Sequence, residues 1–257
     1  MSANDEPLLS VDNLQTSFYT EEGEVKAVND VSYQIDSGER FAVVGESGAG
    51  KSVTSLSLMR LIDDPGRIKG GDVTFRSTSA VATLARKFPE GVATENSSGY
   101  IHVDELRAES GSVGSDPGAT VRDQPKEVAT DLEDGSLHVE AGHVDVLDAP
   151  DEAMQELRGA EIAMIFQDPH TALNPVYTIG EQIAEAVRKH LDMGDAAARE
   201  RAIEMLDRVG IPDAEERYSD YPHEFSGGMQ QRAVIAIALS CDPSLIVADE
   251  PTTALDV

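Results

Sequence analysis

The feature that most limits how this chain can fold is the glycine-rich segment VGESGAGKSV, at residues 44–53. The apolar run FAVV (41–44) precedes it, and the pattern after it predicts a helix over about residues 51–62. A short apolar strand, a glycine loop and a helix in this order form a βα unit. We therefore expect a strand buried in a parallel sheet at residues 41–44, within an α/β core.

The same segment fits the phosphate-loop pattern G-x-x-x-x-G-K-[ST] in full. The glycines let backbone N–H groups turn toward phosphate oxygens, and the N-terminus of the following helix adds a favourable field. Lys51 can reach the β- and γ-phosphates of a nucleotide, and the Ser52 hydroxyl can ligate Mg²⁺. The alternative is a chance glycine turn, which the flanking strand and helix disfavour. The residues predicted to contact the nucleotide are Gly45, Glu46, Ser47, Gly48, Ala49, Gly50, Lys51, Ser52 and Val53.

Acidic and amide side chains after two other apolar runs complete this chemistry. Asp249 and Glu250 follow the apolar residues 245–248, which predict a buried strand. Asp249 is predicted to bind the metal ion, and Glu250 to polarise an attacking water. Gln167, in IFQDP, can contact both the metal ion and the water. Each signal is weak alone, and a complete phosphate loop in the same chain makes the combination strong.

The stretch FSGGMQQR (225–232) predicts a second anion site. Ser226 is a natural N-cap, and Gly227 and Gly228 leave backbone donors exposed at the start of the helix. A plain helix cap would account for Ser226 and one glycine. It would not account for the position of the stretch just before the apolar run that ends in Asp249 and Glu250.

Charge and hydropathy narrow the class of protein. The chain has 48 acidic and 20 basic residues, a net charge of −28. Residues 76–150 carry a net −8 and the other 182 residues −20, so the acidity is evenly spread rather than confined to a tail. This pattern favours a halophilic, haloarchaeal cytosol, where salt screens the repulsion, over an acid-rich mesophilic protein. The sequence shows no basic stripe, so direct binding to nucleic acid is disfavoured.

Other composition signals predict a soluble or peripheral protein. The apolar run at 233–239 has seven residues, far fewer than the roughly 20 that a membrane span needs. The acidic start, MSANDEPLLS, lacks a signal-peptide pattern. A single cysteine, Cys241, can form no internal disulfide, which suits a reducing compartment.

The chain between the motifs changes character twice. Alternating apolar residues predict strands at 11–18, 31–35 and 70–75, and apolar spacing predicts helices within 178–210. Between them, about residues 76–143 are rich in Ser, Gly, Asp and Thr, which indicates either a disordered insertion or a partly ordered one with hairpins at YIHVDEL and LHVEAGHVDVL. Three histidines lie there (His102, His138 and His143), but their spacing matches no metal site that we recognise.

Together the motifs resemble the nucleotide-binding subunit of an ABC transporter. Lys51 matches the P-loop lysine, Gln167 the Q-loop, and Asp249 and Glu250 the Walker B acids. Ser226, Gly227 and Gly228 match the centre of the signature, with Phe225 and Met229 replacing the usual Leu and Gln. Residues 254–256 resemble the D-loop, and Phe18, with Tyr19 as second choice, lies where the family stacks an aromatic ring on adenine.

A narrower resemblance is to the dipeptide/oligopeptide/nickel importer ATPases, of the first ATPase subunit type. FQDPHTALNP, YPHEFSGGM and ADEPTTALDV carry it, and the match covers residues 8–75 and 145–257. It implies an α/β fold, a P-loop NTPase domain of ABC type with an N-terminal antiparallel β-subdomain and a helical subdomain, C-terminally incomplete. The implied division is 1–75, β-subdomain and P-loop; 76–144, acidic insertion; 145–169, return to the core with the Q-loop; 170–225, helical subdomain; and 226–257, signature helix, Walker B and D-loop.

The resemblance also implies a mechanism and partners. ATP and Mg²⁺ would lie between the P-loop of one subunit and the Ser226 segment of a paralogous or identical ATPase. The dimer would drive two membrane permeases at the cytoplasmic face, supplied by an extracellular solute-binding protein. Family members continue past the D-loop to a switch histidine, so we expect a truncated product.

Three other classes compete with a transport ATPase. A DNA-repair ABC ATPase would carry a long coiled coil between P-loop and signature, and no heptad run is present. An ABC translation factor would need two cassettes and a basic surface. A non-hydrolysing, nucleotide-binding remnant stays open.

Overall fold

The computed structural model describes residues 6–94, 98–108, 125–133, 135 and 137–251. The chain forms two compact units, Met1–Gln155 and Glu156–Val257. The segments predicted at 1–75 and 76–144 both lie in the first unit, and those predicted at 170–225 and 226–257 lie in the second. The predicted D-loop at 254–256 falls outside the described residues.

The first unit is built on a five-stranded antiparallel sheet with the order β2-β1-β3-β5-β4. Leu9, Val11 and Leu14 lie in its core, each at most 1% exposed. Leu9 and Val11 alternate, and a register irregularity between Val11 and Leu14 accounts for the three-residue step to Leu14. The strands are β1 (Leu9–Thr20), β2 (Gly23–Ile35), β3 (Gly66–Phe75), β4 (Ile101–Ala108) and β5 (Leu137–Asp145). The strands predicted at 11–18, 31–35 and 70–75 are confirmed, and each extends further than predicted.

The insertion contributes ordered structure to this sheet. The two strands that the alternating pattern predicted are confirmed as β4 and β5. They pair antiparallel with each other, and β5 also pairs with β3 through Thr74 and Phe75. Two helices that were not predicted accompany the strands, α2 (Thr78–Lys87) and α3 (Pro125–Glu133). Ser77 caps α2 by accepting a hydrogen bond from the Ala80 N–H, and one apolar face of α2 is buried.

The buried strand predicted at residues 41–44 is wrong. The backbone there is irregular, and Phe41, Val43 and Val44 are 43%, 52% and 89% exposed. A strand of a parallel sheet is buried by neighbours on both sides, and no strand in the described part of the chain pairs with this run. The helix that follows, α1 (Lys51–Leu58), begins as predicted but ends early, because Arg60 adopts a left-handed conformation (φ 50°).

The second unit packs helices beside a two-stranded parallel sheet. The spacing that predicted a helical region is confirmed, with Ile179, Ile183 and Val187 fully buried on one face of α6 (Ile179–Leu191). Ser226 directly precedes the predicted signature helix, α9 (Gly227–Leu239). The helix α4 (Asp151–Leu157) contains the boundary between the two units. The elements after it are β6 (Ile162–Ile165), α5 (Pro169–Ala172), α6 (Ile179–Leu191), α7 (Asp195–Arg208), α8 (Ala214–Arg217), α9 (Gly227–Leu239) and β7 (Leu245–Ala248).

The strand predicted before Asp249 is confirmed as β7, but its predicted burial is wrong. Ile246 is 41% exposed, because β7 has only β6 as a neighbour among the strands that the structure describes. None of the helices in the described ranges has both the length and the apolar character that a membrane span requires.

Candidate functional site

At Gly50, the backbone of the glycine-rich loop leaves no room for a side chain. Gly48 and Gly50 have φ angles of 82° and 87°, in the left-handed region. A Cβ added to Gly50 would lie 2.1 Å from the carbonyl oxygen of Ala27 in β2. The end of the loop therefore packs directly on the backbone of the sheet, and α1 begins at the next residue.

Lys51 spans this loop. Its Nζ donates hydrogen bonds to the carbonyl oxygens of Gly45 (2.9 Å) and Glu46 (3.0 Å), which places an ammonium group against the loop backbone. Ser52 and Val53 are half-buried in the first turn of α1, whereas Ser47 and Ala49 are exposed in the loop. The loop thus combines glycine backbone, a cation and a hydroxyl at one helix N-terminus, a combination suited to a polyphosphate.

The two aromatic candidates lie on opposite faces of β1, as adjacent residues of a strand do. Thr16 contacts Ser57 of α1 through its hydroxyl (Oγ to Oγ, 2.8 Å), so this face of β1 is the one on which α1 packs. Phe18, two residues further, shares that face, and its ring edge packs against Gly66. Tyr19 is 41% exposed and faces the other way. The geometry puts Phe18, the first candidate, on the side of the phosphate loop.

Tyr19 borders a separate cavity of about 530 Å³. Its hydroxyl accepts a hydrogen bond from Lys69, and that bond raises the pKa of the exposed lysine. The lining residues are Tyr19, Asp64, Pro65, Arg67, Ile68 and Lys69.

In the second unit, the polar residues after β6 and β7 come together. Because the two strands are parallel neighbours, their carboxyl ends share one edge of the sheet. Gln167 Nε2 donates a hydrogen bond to Glu250 Oε2 (2.8 Å), and the backbone N–H of Asp249 donates to the carbonyl oxygen of Ile165 (2.9 Å). Glu250 has a φ of 46°, a conformation that is uncommon outside glycine and that marks functional turns in many proteins.

The signature segment starts α9 in the predicted way. The Ser226 hydroxyl accepts a hydrogen bond from the Met229 N–H (3.3 Å), and Gly227 and Gly228 form the first helical turn. Gln230 lies in the predicted signature stretch, but no role was predicted for it. It is 6% exposed, and its Nε2 donates to the carbonyl oxygens of Pro222 (2.7 Å) and Phe225 (3.3 Å). Polar residues at 230–232 inside an otherwise apolar helix were the available signal, and the hydrogen bonds of Gln230 fix the loop that presents Ser226.

Comparison with known proteins decides the family. The family model described as "ABC transporter" matches residues 28–136 and 129–253. The chain belongs to the ABC transporter family. Among the solved structures similar to it is an ATP-binding cassette dimer in a post-hydrolysis state bound to ADP and Pi. That chain has a TM-score of 0.63 and 21% sequence identity, and the match covers 96% of this chain and 76% of the other. This similarity confirms the predicted ABC-type α/β fold.

Several curated ABC relatives carry names that refer to peptides. A candidate peptide import ATP-binding protein of Brucella melitensis is 43% identical over 254 residues, 98% of this chain and 57% of the relative. The dipeptide transport protein DppD of Bacillus subtilis is 39% identical over 253 residues, 98% of this chain and 56% of the relative. The oligopeptide transport protein OppD of the same organism is 39% identical over 251 residues, 97% of this chain and 55% of the relative. The chain thus spans little more than half the length of these relatives.

Proposed function

We propose that this chain is the ATP-binding and ATP-hydrolysing subunit that powers peptide import through a membrane ABC transporter. The observation that carries the proposal is the phosphate loop, in which Lys51 and the glycine backbone converge at the start of α1. The family membership and the names of the peptide-transport relatives support it.

The available donors suit Mg²⁺ and a nucleotide. The Ser52 hydroxyl, the Asp249 carboxylate and the Gln167 amide oxygen are all oxygen ligands, which Mg²⁺ prefers. These residues would hold the ion, and it would neutralise charge on the phosphates when bound. The backbone N–H groups of residues 45–53 would hold the phosphates, and Phe18 would stack on adenine, with Tyr19 as the second candidate.

Glu250 is the proposed base of the reaction. A carboxylate at the end of β7 can accept a proton from the attacking water and polarise it. Gln167 donates to that carboxylate, so it would orient Glu250 and respond to a bound nucleotide. The presence of this carboxylate after β7 favours hydrolysis over binding alone.

The Ser226 segment requires a second subunit under this proposal. Its exposed N–H groups would bind the terminal phosphate of ATP held by a paralogous or identical ATPase, in a head-to-tail dimer. ATP would favour the closed dimer and hydrolysis the open one, and this population shift would drive two permeases. Residues 168–182 and the helical region of α6 and α7 are the proposed permease contact. A solute-binding protein would deliver the peptide, and the subunit would lie peripherally at the cytoplasmic face of the membrane.

The proposal is tested by Mg-ATP binding and turnover of the full 257-residue chain in concentrated KCl. We expect Lys51→Ala to abolish most nucleotide binding, and Glu250→Gln to keep binding and stop turnover. Lys126→Ala, in the exposed part of α3, is the matched control and should change neither. Binding by Lys51→Ala equal to that of the parent chain would refute the phosphate-loop assignment.

Peptide specificity needs a separate experiment. The chain is combined in vesicles with its permeases and solute-binding protein, and ATP turnover is measured with and without peptide. We expect peptides to stimulate turnover. Stimulation by nickel or another small solute instead would contradict the peptide assignment and leave the ATPase assignment intact.

A further inference from the structure

The tripeptide His-Val-Asp occurs twice, once within the insertion and once at its C-terminal end. His102, Val103 and Asp104 lie in β4, and the same three residue types recur in β5 at 143–145. In a strand, residues two apart share one face, so each repeat presents a histidine and a carboxylate on the same side. This repeated order of residue types is a sequence signal for the cluster, and the spacing of the histidines alone did not provide it.

The antiparallel pairing brings the two repeats together. His102 lies directly opposite His143, and their rings stack with centroids 4.3 Å apart and planes 5° from parallel. His102 Nε2 lies 2.8 Å from Asp145 Oδ2, and His143 Nε2 lies 4.0 Å from Asp145 Oδ1. One donor atom from each of His102, His143 and Asp145 falls within 4.8 Å of the other two.

The fourth polar residue, Asp104, supports the other side of His143. Its Oδ2 lies 3.5 Å from His143 Nδ1, so a carboxylate faces one ring nitrogen while the other nitrogen points to Asp145. A carboxylate behind a histidine fixes the tautomer and makes the opposite nitrogen a better metal ligand. Burial and the adjacent His102 lower the pKa of His143, against the opposing attraction of Asp104 and Asp145.

The cluster is both supported and open to solvent. Ile101 and Val144, the facing pair next to the histidines, are fully buried on the opposite face of the two strands, so the backbone beneath the cluster is fixed. The side chains of His102, His143 and Asp145 are 30%, 24% and 34% exposed. An ion can therefore reach them without opening the core.

We propose that His102, His143 and Asp145 bind a divalent transition-metal ion such as Zn²⁺, with Asp104 as the residue that positions His143. Two imidazoles and one carboxylate suit Zn²⁺ and its neighbours in the first transition row, whereas Mg²⁺ prefers all-oxygen sites. His102 and Asp145 are 43 residues apart in the chain. The ion would join these two distant parts of the chain and stabilise β4 against β5.

The first experiment uses the unaltered full chain with ZnCl₂ as the probe, in excess Mg²⁺ to occupy general carboxylate sites. Imidazoles are modified with diethyl pyrocarbonate, and each histidine is followed by mass spectrometry. We expect Zn²⁺ to protect His102 and His143 and to leave His138, an exposed residue of β5, as reactive as before. Equal reactivity of His102 and His143 with and without Zn²⁺ would overturn the proposal.

The second experiment measures Zn²⁺ affinity by calorimetry in the same buffer. His143→Ala and Asp145→Asn should each weaken binding by more than about tenfold, and Asp104→Asn by about tenfold, the range typical of residues that orient a ligand. His138→Ala is the matched control and should bind as the parent chain does. Circular dichroism checks that each variant folds. If His143→Ala does not fold, the protection of His102 and His143 measured on the unaltered chain decides whether the proposal stands. Similar affinity in all of these variants would mean that Zn²⁺ binds elsewhere.

Discussion

Two helix caps of nearly identical geometry allow the proposed role of Ser226 to be separated from its role in stability. Ser226 caps α9 with φ −66° and ψ 161°, and Thr178 caps α6 with φ −67° and ψ 155°. Each side chain accepts one hydrogen bond, from the Met229 and Glu181 N–H groups respectively, and both bonds are 3.3 Å long. Replacing such a cap by alanine typically costs about 1 kcal/mol. Ser226→Ala and Thr178→Ala should therefore lower the free energy of unfolding by similar amounts, measured by urea denaturation.

The two variants should differ in nucleotide-driven dimerisation. If the Ser226 hydroxyl bonds a phosphate across the dimer, its removal costs at least about 1.5 kcal/mol at each of two equivalent sites. The dissociation constant of the dimer should then rise by at least about a hundredfold. Thr178→Ala removes no phosphate contact and should dimerise as its parent does.

The assay is size-exclusion chromatography with light scattering, in Mg-ATP and concentrated KCl, with every variant in a Glu250→Gln background to prevent turnover. It contains no permease, so the proposed permease surface around Thr178 does not enter the result. Equal weakening of the dimer by both substitutions would show that Ser226 acts only as a cap. Dimerisation of Ser226→Ala at the parent's concentration would also refute the phosphate contact.

Three further predictions concern stability and reactivity. Gly50→Ala should destabilise the chain more than Gly48→Ala in urea denaturation, because both have positive φ but only Gly50 abuts a carbonyl oxygen; equal losses would refute this packing. Ile183→Ala should cost about 2–5 kcal/mol because its side chain is fully buried, whereas the exposed Val176→Ala should cost under about 0.5 kcal/mol. Burial raises the pKa of the Cys241 thiol, so iodoacetamide at mildly alkaline pH should modify the native chain far more slowly than the urea-unfolded one; equal rates would contradict the buried thiol.

The sequence predicted the elements that local signals define. Capping residues and apolar spacing located α6 and α9, and alternation located β1, β2 and β3, because each of these patterns depends on nearby residues alone. The phosphate-loop glycines were predicted for the same reason, since the αL conformation is a local demand.

Burial that depends on residues distant in the chain was harder to predict from the sequence. Residues 41–44 and β7 are equally apolar in sequence, yet their exposure depends on which strands lie beside them, and that information is not in the segment itself. The histidine cluster was not predicted from the sequence, for a related reason. His102 and His143 lie far apart in the chain, and only the β4–β5 register puts Asp145 beside both.

The hydrogen bond from Gln167 to Glu250 suggests how ATP hydrolysis could be coupled to peptide transport. The Oε2 atom that accepts the amide proton is engaged, so it is a poorer acceptor for a proton from water. Under the proposed function, this hydrogen bond would keep Glu250 from acting as the base while no peptide is bound to the transporter. Idle consumption of ATP would be suppressed until an event at the Gln167 loop released the carboxylate. Because Gln167 directly precedes the proposed permease contact at residues 168–182, that release could report that the membrane partner is loaded.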